Sequence, residues 1–300
     1  MSVILDPLYW IVSGVMVSIH RLLAPIFGET SGVTWSLSIM GLVVVIRIIL
    51  IPLFVRQIKS QRALTALSPE MKKIQQKYKD DRQKQSEELM KLYKEHKTNP
   101  LASCFPILAQ APIFFALFTV LNGLRSNPAK GRGLLTSDLV AQAAEAKFFG
   151  AKISDFFLQN GVDNQVRIVT ILLIALMSIT TFTTQRQLMV KGMPKLDSSN
   201  NMMLQQQKLM LYLFPLIFAI SGVNFPVGVL IYWSTTNLWT MGQQFYVIKR
   251  NPTPGSPAWE ELQKKRAAKG EIEDKGGSIA TEPEKPKGQR NQPRKKKKNK

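Results

Sequence analysis

Apolar residues along the chain fall into long blocks separated by polar segments, and the blocks carry the first prediction. The hydrocarbon core of a bilayer takes about 20 mostly apolar helical residues to cross. Five stretches meet or approach that length, at about 35–55, 101–121, 168–184, 209–223 and 227–247. Only Asn224, Phe225 and Pro226 separate the last two, which predicts a tight hairpin. One such block could be a buried core helix, but five alternating with polar segments predict an all-α, multi-pass membrane protein.

The segment 56–98 has a different pattern. Leu64, Leu67, Met71, Ile74 and Tyr78 recur at helical spacing, Lys79-Asp80-Asp81 interrupts, and Leu89, Leu92 and Tyr93 follow. This predicts a charged helical hairpin, with Ser68 capping a helix start and Pro69 at its first position. Such a hairpin is either a solvated spacer or a docking arm for a partner. At the N-terminus the apolar run Leu8–Ile19 is short and closes with His20 and Arg21. Within a segment 1–32 it predicts an interfacial helix on the outer face, anchored by Trp10; a sixth span is the alternative and would break the parity of five spans. The opening MSVILD carries no positive charge, unlike a secretory signal. Residues 251–300 are rich in Pro, Gly, Lys and Glu and poor in large apolar residues, which predicts a disordered basic tail.

Charge orients these elements. The 300 residues hold 40 Lys+Arg against 20 Asp+Glu, a net charge of +20. A mean hydropathy of −0.03 hides how strongly charged and apolar residues are segregated. Segment 56–100 holds 12 basic residues, 185–208 holds 4 and 248–300 holds 16, so 32 of the 40 fall on one side of a five-span topology. Cytoplasmic loops retain Lys and Arg. The N-terminus and the loop 124–167 are therefore expected outside, and the C-terminus in the cytoplasm.

A single Cys excludes an internal disulfide framework, and two isolated His leave too few ligands for a His/Cys metal cage. The chain has no HExxH, no GxSxG, no glycine-rich phosphate loop and no Asp pair within a span. No catalytic residue, metal or cofactor is expected.

The residue that changes the picture is Arg47, inside the first span. An arginine at the centre of a spanning helix costs about 2.5–3.5 kcal/mol on insertion scales. None of the five spans contains an Asp or Glu to neutralise it. A lone intramembrane cation implies water, and a wet cationic cavity invites an anionic guest. Gln110, Ser178, Thr180, Thr181, Thr183, Thr184, Ser234, Thr235, Thr236, Asn237, Gln243 and Gln244 are further polar residues within spans. Each alone commonly bonds a neighbouring helix or its own backbone; together they predict a hydrophilic interior. Pro52, Pro106, Pro112 and Pro215 predict kinks. The tail ends in PRKKKKNK, so Arg294, Lys295, Lys296, Lys297, Lys298 and Lys300 are candidates for contact with anionic lipid or with RNA phosphates.

Several stretches, in order, resemble the YidC membrane-protein insertase family: VIRIILIPLFVRQ (Val45–Gln57), the charged segment Leu67–Leu101, CFPILAQAPIFFALF (Cys104–Phe118) and FPVGVLIYWSTTNLWTMGQQ (Phe225–Gln244). The resemblance covers about residues 35–250 and points to branches without a large extracytoplasmic domain. It implies a five-helix core, 33–250, around a hydrophilic groove open to cytoplasm and lipid. It puts the groove arginine on Arg47, a groove glutamine on Gln110 and fifth-helix groove residues on Ser234, Thr235, Thr236 and Asn237. It further implies insertion and chaperoning of nascent membrane proteins in the cell membrane. The partners it implies are the ribosome, the Sec translocon and the signal-recognition machinery, with the basic tail reaching ribosomal RNA. A polytopic transporter or channel using Arg47 as an anion site is the alternative. A membrane anchor tethering RNA or lipid by its tail would leave Arg47 unexplained.

Overall fold

The structure, a computed structural model, describes residues 2–96, 105–125, 131–193 and 201–269. By internal contacts the chain divides into Met1–Leu262 and Gln263–Lys300. In the first unit the helices are α1 (Ser2–Phe27), α2 (Gly32–Ile49), α3 (Ile51–Ala66), α4 (Ser68–Lys77), α5 (Arg82–Glu95) and α6 (Phe105–Asn122). They are followed by α7 (Ser137–Glu145), a two-stranded hairpin of β1 (Lys147–Phe148) and β2 (Ala151–Lys152), α8 (Asn164–Gln187), α9 (Asn201–Gly222) and α10 (Val227–Arg250).

Three stretches are long and apolar enough to cross a membrane: Asp6–Phe27, Gly32–Ile49 and Asn164–Gly192. Ala111–Asn122 and Leu211–Gly222 are shorter apolar helices. α10 has 24 residues, about 36 Å at 1.5 Å per residue, but Ser234–Asn237, Gln243 and Gln244 dilute its apolar character.

Boundaries differ from the sequence reading where backbone chemistry intervenes. The first expected span is not one helix: α2 ends at Ile49, Leu50 makes a turn, and α3 begins at Ile51. Pro52 supplies the reason, since it has no N–H to continue the ladder and its ring crowds the preceding turn. α4 starts at Ser68 with Leu67 as its cap residue and no side-chain cap, so Ser68 is not the cap and lies inside the helix, beside Pro69. The Asp81 carboxylate caps α5, accepting from the Lys84 N–H at 3.0 Å. α4 and α5 lie against each other: Tyr93 Oη donates to Met71 Sδ at 3.6 Å and Gln85 Nε2 to the Gln75 carbonyl at 3.1 Å. Partial burial there holds the Tyr93 hydroxyl above its ordinary pKa.

The N-terminal helix is longer than the Leu8–Ile19 run, because Ala24, Ile26 and Phe27 continue it beyond His20 and Arg21. Its partners are α2, α6 and the 131–135 segment, and Val12, Met16 and Val17 are buried among them. Arg132 lies over the Tyr9 ring, the Leu134 N–H donates to Ser13 Oγ at 2.9 Å, and His20 sits 4.1 Å from Trp35.

Residues from 251 onward were expected to lack structure, yet α11 (Pro257–Ala268) is helical. Ser256 Oγ accepts from the Trp259 N–H at 3.3 Å. Glu260 in the first turn and Lys265 and Arg266 in the last complement the helix dipole, and these local terms offset the weak hydrophobicity. Residues 270–300 lie outside the described residues.

The 131–163 segment closes one end of the helix assembly. Ile153 and Asp155 carbonyls accept from the Gly228 and Val227 N–H groups, both at 2.9 Å, and so cap α10. A Cβ on Gly228 would sit 2.6 Å from Ile153 Cγ2, and one on Gly32 would collide with the Lys147 backbone. Lys152 Nζ pairs with Glu145 at 2.7 Å, and that hydrogen bond raises the Lys152 pKa above its ordinary value. The buried apolar cluster gathers at this end, running through Val12, Met16, Trp35, Leu42, Leu117, Leu121, Val140, Ile153, Met177 and Leu230.

Candidate functional site

Depth along the helices defines the site. Among the described residues, the continuous apolar cluster extends no deeper than Val43 on α2, Ala116 on α6, Met177 on α8 and Tyr232 on α10, counting from the 131–163 end. Past that limit lie Ile46, Ile113, Phe114 and Trp233, which pack on the cluster, together with buried Thr180 and Ser234 and half-buried Thr181, Thr235, Thr236 and Asn237. Arg47 lies four residues beyond Val43, about 6 Å further along the helix axis. Thr181 follows Met177 by four residues, and Thr235, Thr236 and Asn237 follow Tyr232 within two turns.

The Arg47 guanidinium carbon sits over the Phe54 ring, 5.4 Å from the centroid; Leu50 keeps right-handed helical dihedrals, so these two residues, seven apart, lie on one face. The Tyr232 phenol on α10 is close enough to act on the guanidinium electrostatically. No carboxylate pairs with Arg47 among the described residues.

Each sequence-proposed polar residue has a distinct place. Ser234 is buried at 4% exposure, and its Oγ has no hydrogen-bond partner among the described residues. Thr235 Oγ1 donates to the Ile231 carbonyl at 2.8 Å, a bond back to its own helix. Thr236 is half-buried, and its carbonyl accepts from Thr240 Oγ1 at 2.8 Å. Asn237 Nδ2 donates to Thr181 Oγ1 at 3.3 Å, tying α10 to α8. Thr180 and Thr184 also bond their own helix, at 2.7 Å each. Arg47 and the Ser234–Asn237 stretch lie on helices that pack together, α10 resting against both α2 and α8. The side chain of Gln110 on α6 lies outside the described residues, and so do Arg294–Lys298 and Lys300.

The sequence reading did not single out Phe54, Tyr232 or Trp233. Tyr232 was detectable as one helical turn before Thr236. Phe54 was detectable too, as the residue two helical turns beyond Arg47 on the same face. Trp233 anchors an aromatic cluster joining three helices. Its ring lies 6.0 Å from Phe114 on α6, 5.7 Å from Phe218 on α9 and 4.9 Å from Phe225 at the start of α10. α9, expected as half of a tight hairpin with α10, rests chiefly on α8 and meets α10 through this cluster.

Among the described residues, no group of three or more His, Cys, Asp or Glu side chains is placed to hold a metal ion.

The family model for the 60Kd inner membrane protein matches residues 26–254. A membrane protein insertase YidC of Streptomyces avermitilis is 52% identical over 277 residues, which is 88% of this chain and 64% of that protein. The chain thus spans just under two thirds of that relative. A membrane protein insertase YidC of Tropheryma whipplei strain Twist is 38% identical over 304 residues, covering 97% of this chain and 94% of that one. The namesake of Mycobacterium tuberculosis strain H37Rv is 32% identical over 286 residues, covering 88% and 78%. A family match over the helical core, together with relatives at this identity along nearly all of the chain, fixes the assignment: the chain belongs to the 60Kd inner membrane protein family, that of the YidC membrane protein insertases.

Proposed function

We propose that this chain inserts nascent membrane proteins and helps them fold, through a hydrophilic groove open to cytoplasm and lipid with Arg47 at its centre. The observation that carries this reading is the asymmetry of packing. The apolar cluster seals the end carrying the 131–163 segment, whereas Arg47 and the polar residues of α8 and α10 lie beyond it, half-buried. The Lys/Arg-rich segments 56–100, 185–208 and 248–300 fall on one side of a five-span topology, and that charge bias supports a cytoplasmic position for that side. Five spans with the N-terminus outside and the C-terminus inside satisfy this distribution. In that arrangement α1 lies on the outer face; a sixth span formed by Asp6–Phe27, which is long and apolar enough to cross, is the alternative and would put both termini on one side.

A polar flank of a nascent chain enters from the cytoplasm and is attracted by Arg47. The groove shortens the low-dielectric distance that the flank must cross. The substrate's apolar segment moves sideways into lipid, and its hydrophobic transfer drives release of the flank outward. A membrane potential assists an acidic flank by ~2.3 kcal/mol per charge per 100 mV. No bond is made or broken, so catalytic residues and cofactors have no role. The ribosome, the Sec translocon and the signal-recognition machinery are the partners, and the basic tail meets ribosomal RNA.

Reconstitution tests this directly. Purified protein in liposomes should integrate a small single-span protein in a protease-protected orientation, with and without added Sec channel. Solute flux through the same liposomes without integration would instead establish a transporter.

A further inference from the structure

The loops at the sealed end enclose a second cavity, distant from Arg47 and unused by insertion. It has a volume of about 320 Å³ and is lined by Lys147, Gly150, Lys152, Asp155, Asp163 and Val166, among others. That volume lies at the small end of the range for ligand sites. Both signs of charge face it, two ammonium and two carboxylate groups, so neither a simple anion nor a simple cation is its natural match.

Its depth identifies the environment. Val166, on the cavity wall, is two residues before Ile168, and Ile168, Ile171 and Leu172 are all more than half exposed on α8. At 1.5 Å per residue the apolar outer face of α8 begins about 3 Å below the cavity. With α8 crossing the membrane, this is where headgroups meet hydrocarbon. Beside the cavity the β1–β2 turn presents Phe149, 77% exposed and held at φ +47°, a conformation unfavourable for a large side chain. Gly150 follows at φ +83°, and a Cβ there would meet the Gln165 side chain at 2.9 Å. Phe148 packs edge-on against Phe149 at 4.7 Å. The turn therefore holds an aromatic ring outward next to a polar cavity.

We infer that this cavity binds the headgroup of an outer-leaflet phospholipid bearing both a phosphate and a primary ammonium group, with Phe149 seated among the acyl chains. The phosphate meets Lys147, which is exposed, and Lys152, which Glu145 holds in place. The ammonium meets Asp155, whose side chain is otherwise engaged by Ser154 Oγ at 3.3 Å. An aromatic ring at headgroup depth is the usual interfacial anchor. The inference rests on α8 spanning the membrane and not on the insertion activity.

The test uses the full chain in nanodiscs of mixed phosphatidylethanolamine, phosphatidylcholine and phosphatidylglycerol, with retained lipids counted by native mass spectrometry. A photoreactive phosphatidylethanolamine headgroup probe maps the contact. Phosphatidylethanolamine should be retained several-fold over the other two and crosslink within residues 147–166. Lys147→Gln, Asp155→Asn and Phe149→Ser should each lower that retention several-fold while leaving the thermal midpoint unchanged. Lys147 is exposed, so its replacement keeps the fold intact and the test decisive. Equal retention of the three lipids would overturn the inference, as would retention indifferent to Lys147→Gln, or displacement by millimolar inorganic phosphate. Integration of substrate into liposomes lacking phosphatidylethanolamine is scored separately, so failure of the insertase reading and failure of the lipid site are distinguishable.

Discussion

At the residue scale, Arg47 is half-buried with its guanidinium over the Phe54 ring, and no carboxylate pairs with it among the described residues. If its charge attracts substrate, Arg47→Ala should reduce integration of acidic-flanked substrates several-fold, whereas Arg47→Lys should largely preserve it. The reconstituted integration assay measures both, and unchanged integration with Ala would refute attraction by charge. Gly228 makes a different kind of contribution. The space its missing Cβ leaves is occupied by Ile153, whose carbonyl accepts from the Gly228 N–H. Gly228→Val should therefore destabilise the sealed end by about 1–3 kcal/mol through overpacking. The readout is a lowered thermal midpoint in detergent.

At the element scale, most helices could be read from periodicity, while their ends depended on individual caps and prolines. The apolar blocks foretold α2, α6, α8, α9 and α10, and the charged segment foretold α4 and α5. The break at Leu50 followed from Pro52, although the apolar run continues without interruption through Val55. α11 went unread because bulk composition outweighed a local cap, Ser256-Pro257, with acidic residues following. The Asp81 cap provides a quantitative test of α5. Losing a capping carboxylate costs typically ~1 kcal/mol, so Asp81→Ala should speed amide exchange in the first turn of α5 by roughly five-fold. Hydrogen-exchange mass spectrometry over residues 82–86 reads that change, with α8 as an unaffected reference.

At the scale of the whole molecule, the proposed orientation is tested by access from each side of the membrane. Protease added to intact spheroplasts should leave the C-terminus protected and reach the 124–167 loop. Cleavage of the C-terminus from outside would refute the five-span topology. The basic terminus has its own test. Removing Pro293–Lys300 should weaken co-sedimentation with ribosomes, most visibly at moderate salt, because contacts to phosphate depend on counterion release. Equal sedimentation with and without those residues would assign the tail to another partner.

Sequence by itself determined that this is a multi-pass helical membrane protein of the insertase family, and that Arg47 has no acidic neighbour within its spans. Both follow from composition within short windows, because a bilayer penalises each uncompensated charge and rewards each apolar turn wherever it lies in the chain. Tertiary structure alone decided that Asn237 ties to Thr181, that Trp233 joins α6, α9 and α10, and that the Ile153 and Asp155 carbonyls cap α10. These depend on glycines that admit a neighbouring chain and on α10 packing against α2 and α8 together. Such contacts join residues far apart in sequence, and no local pattern encodes their distances.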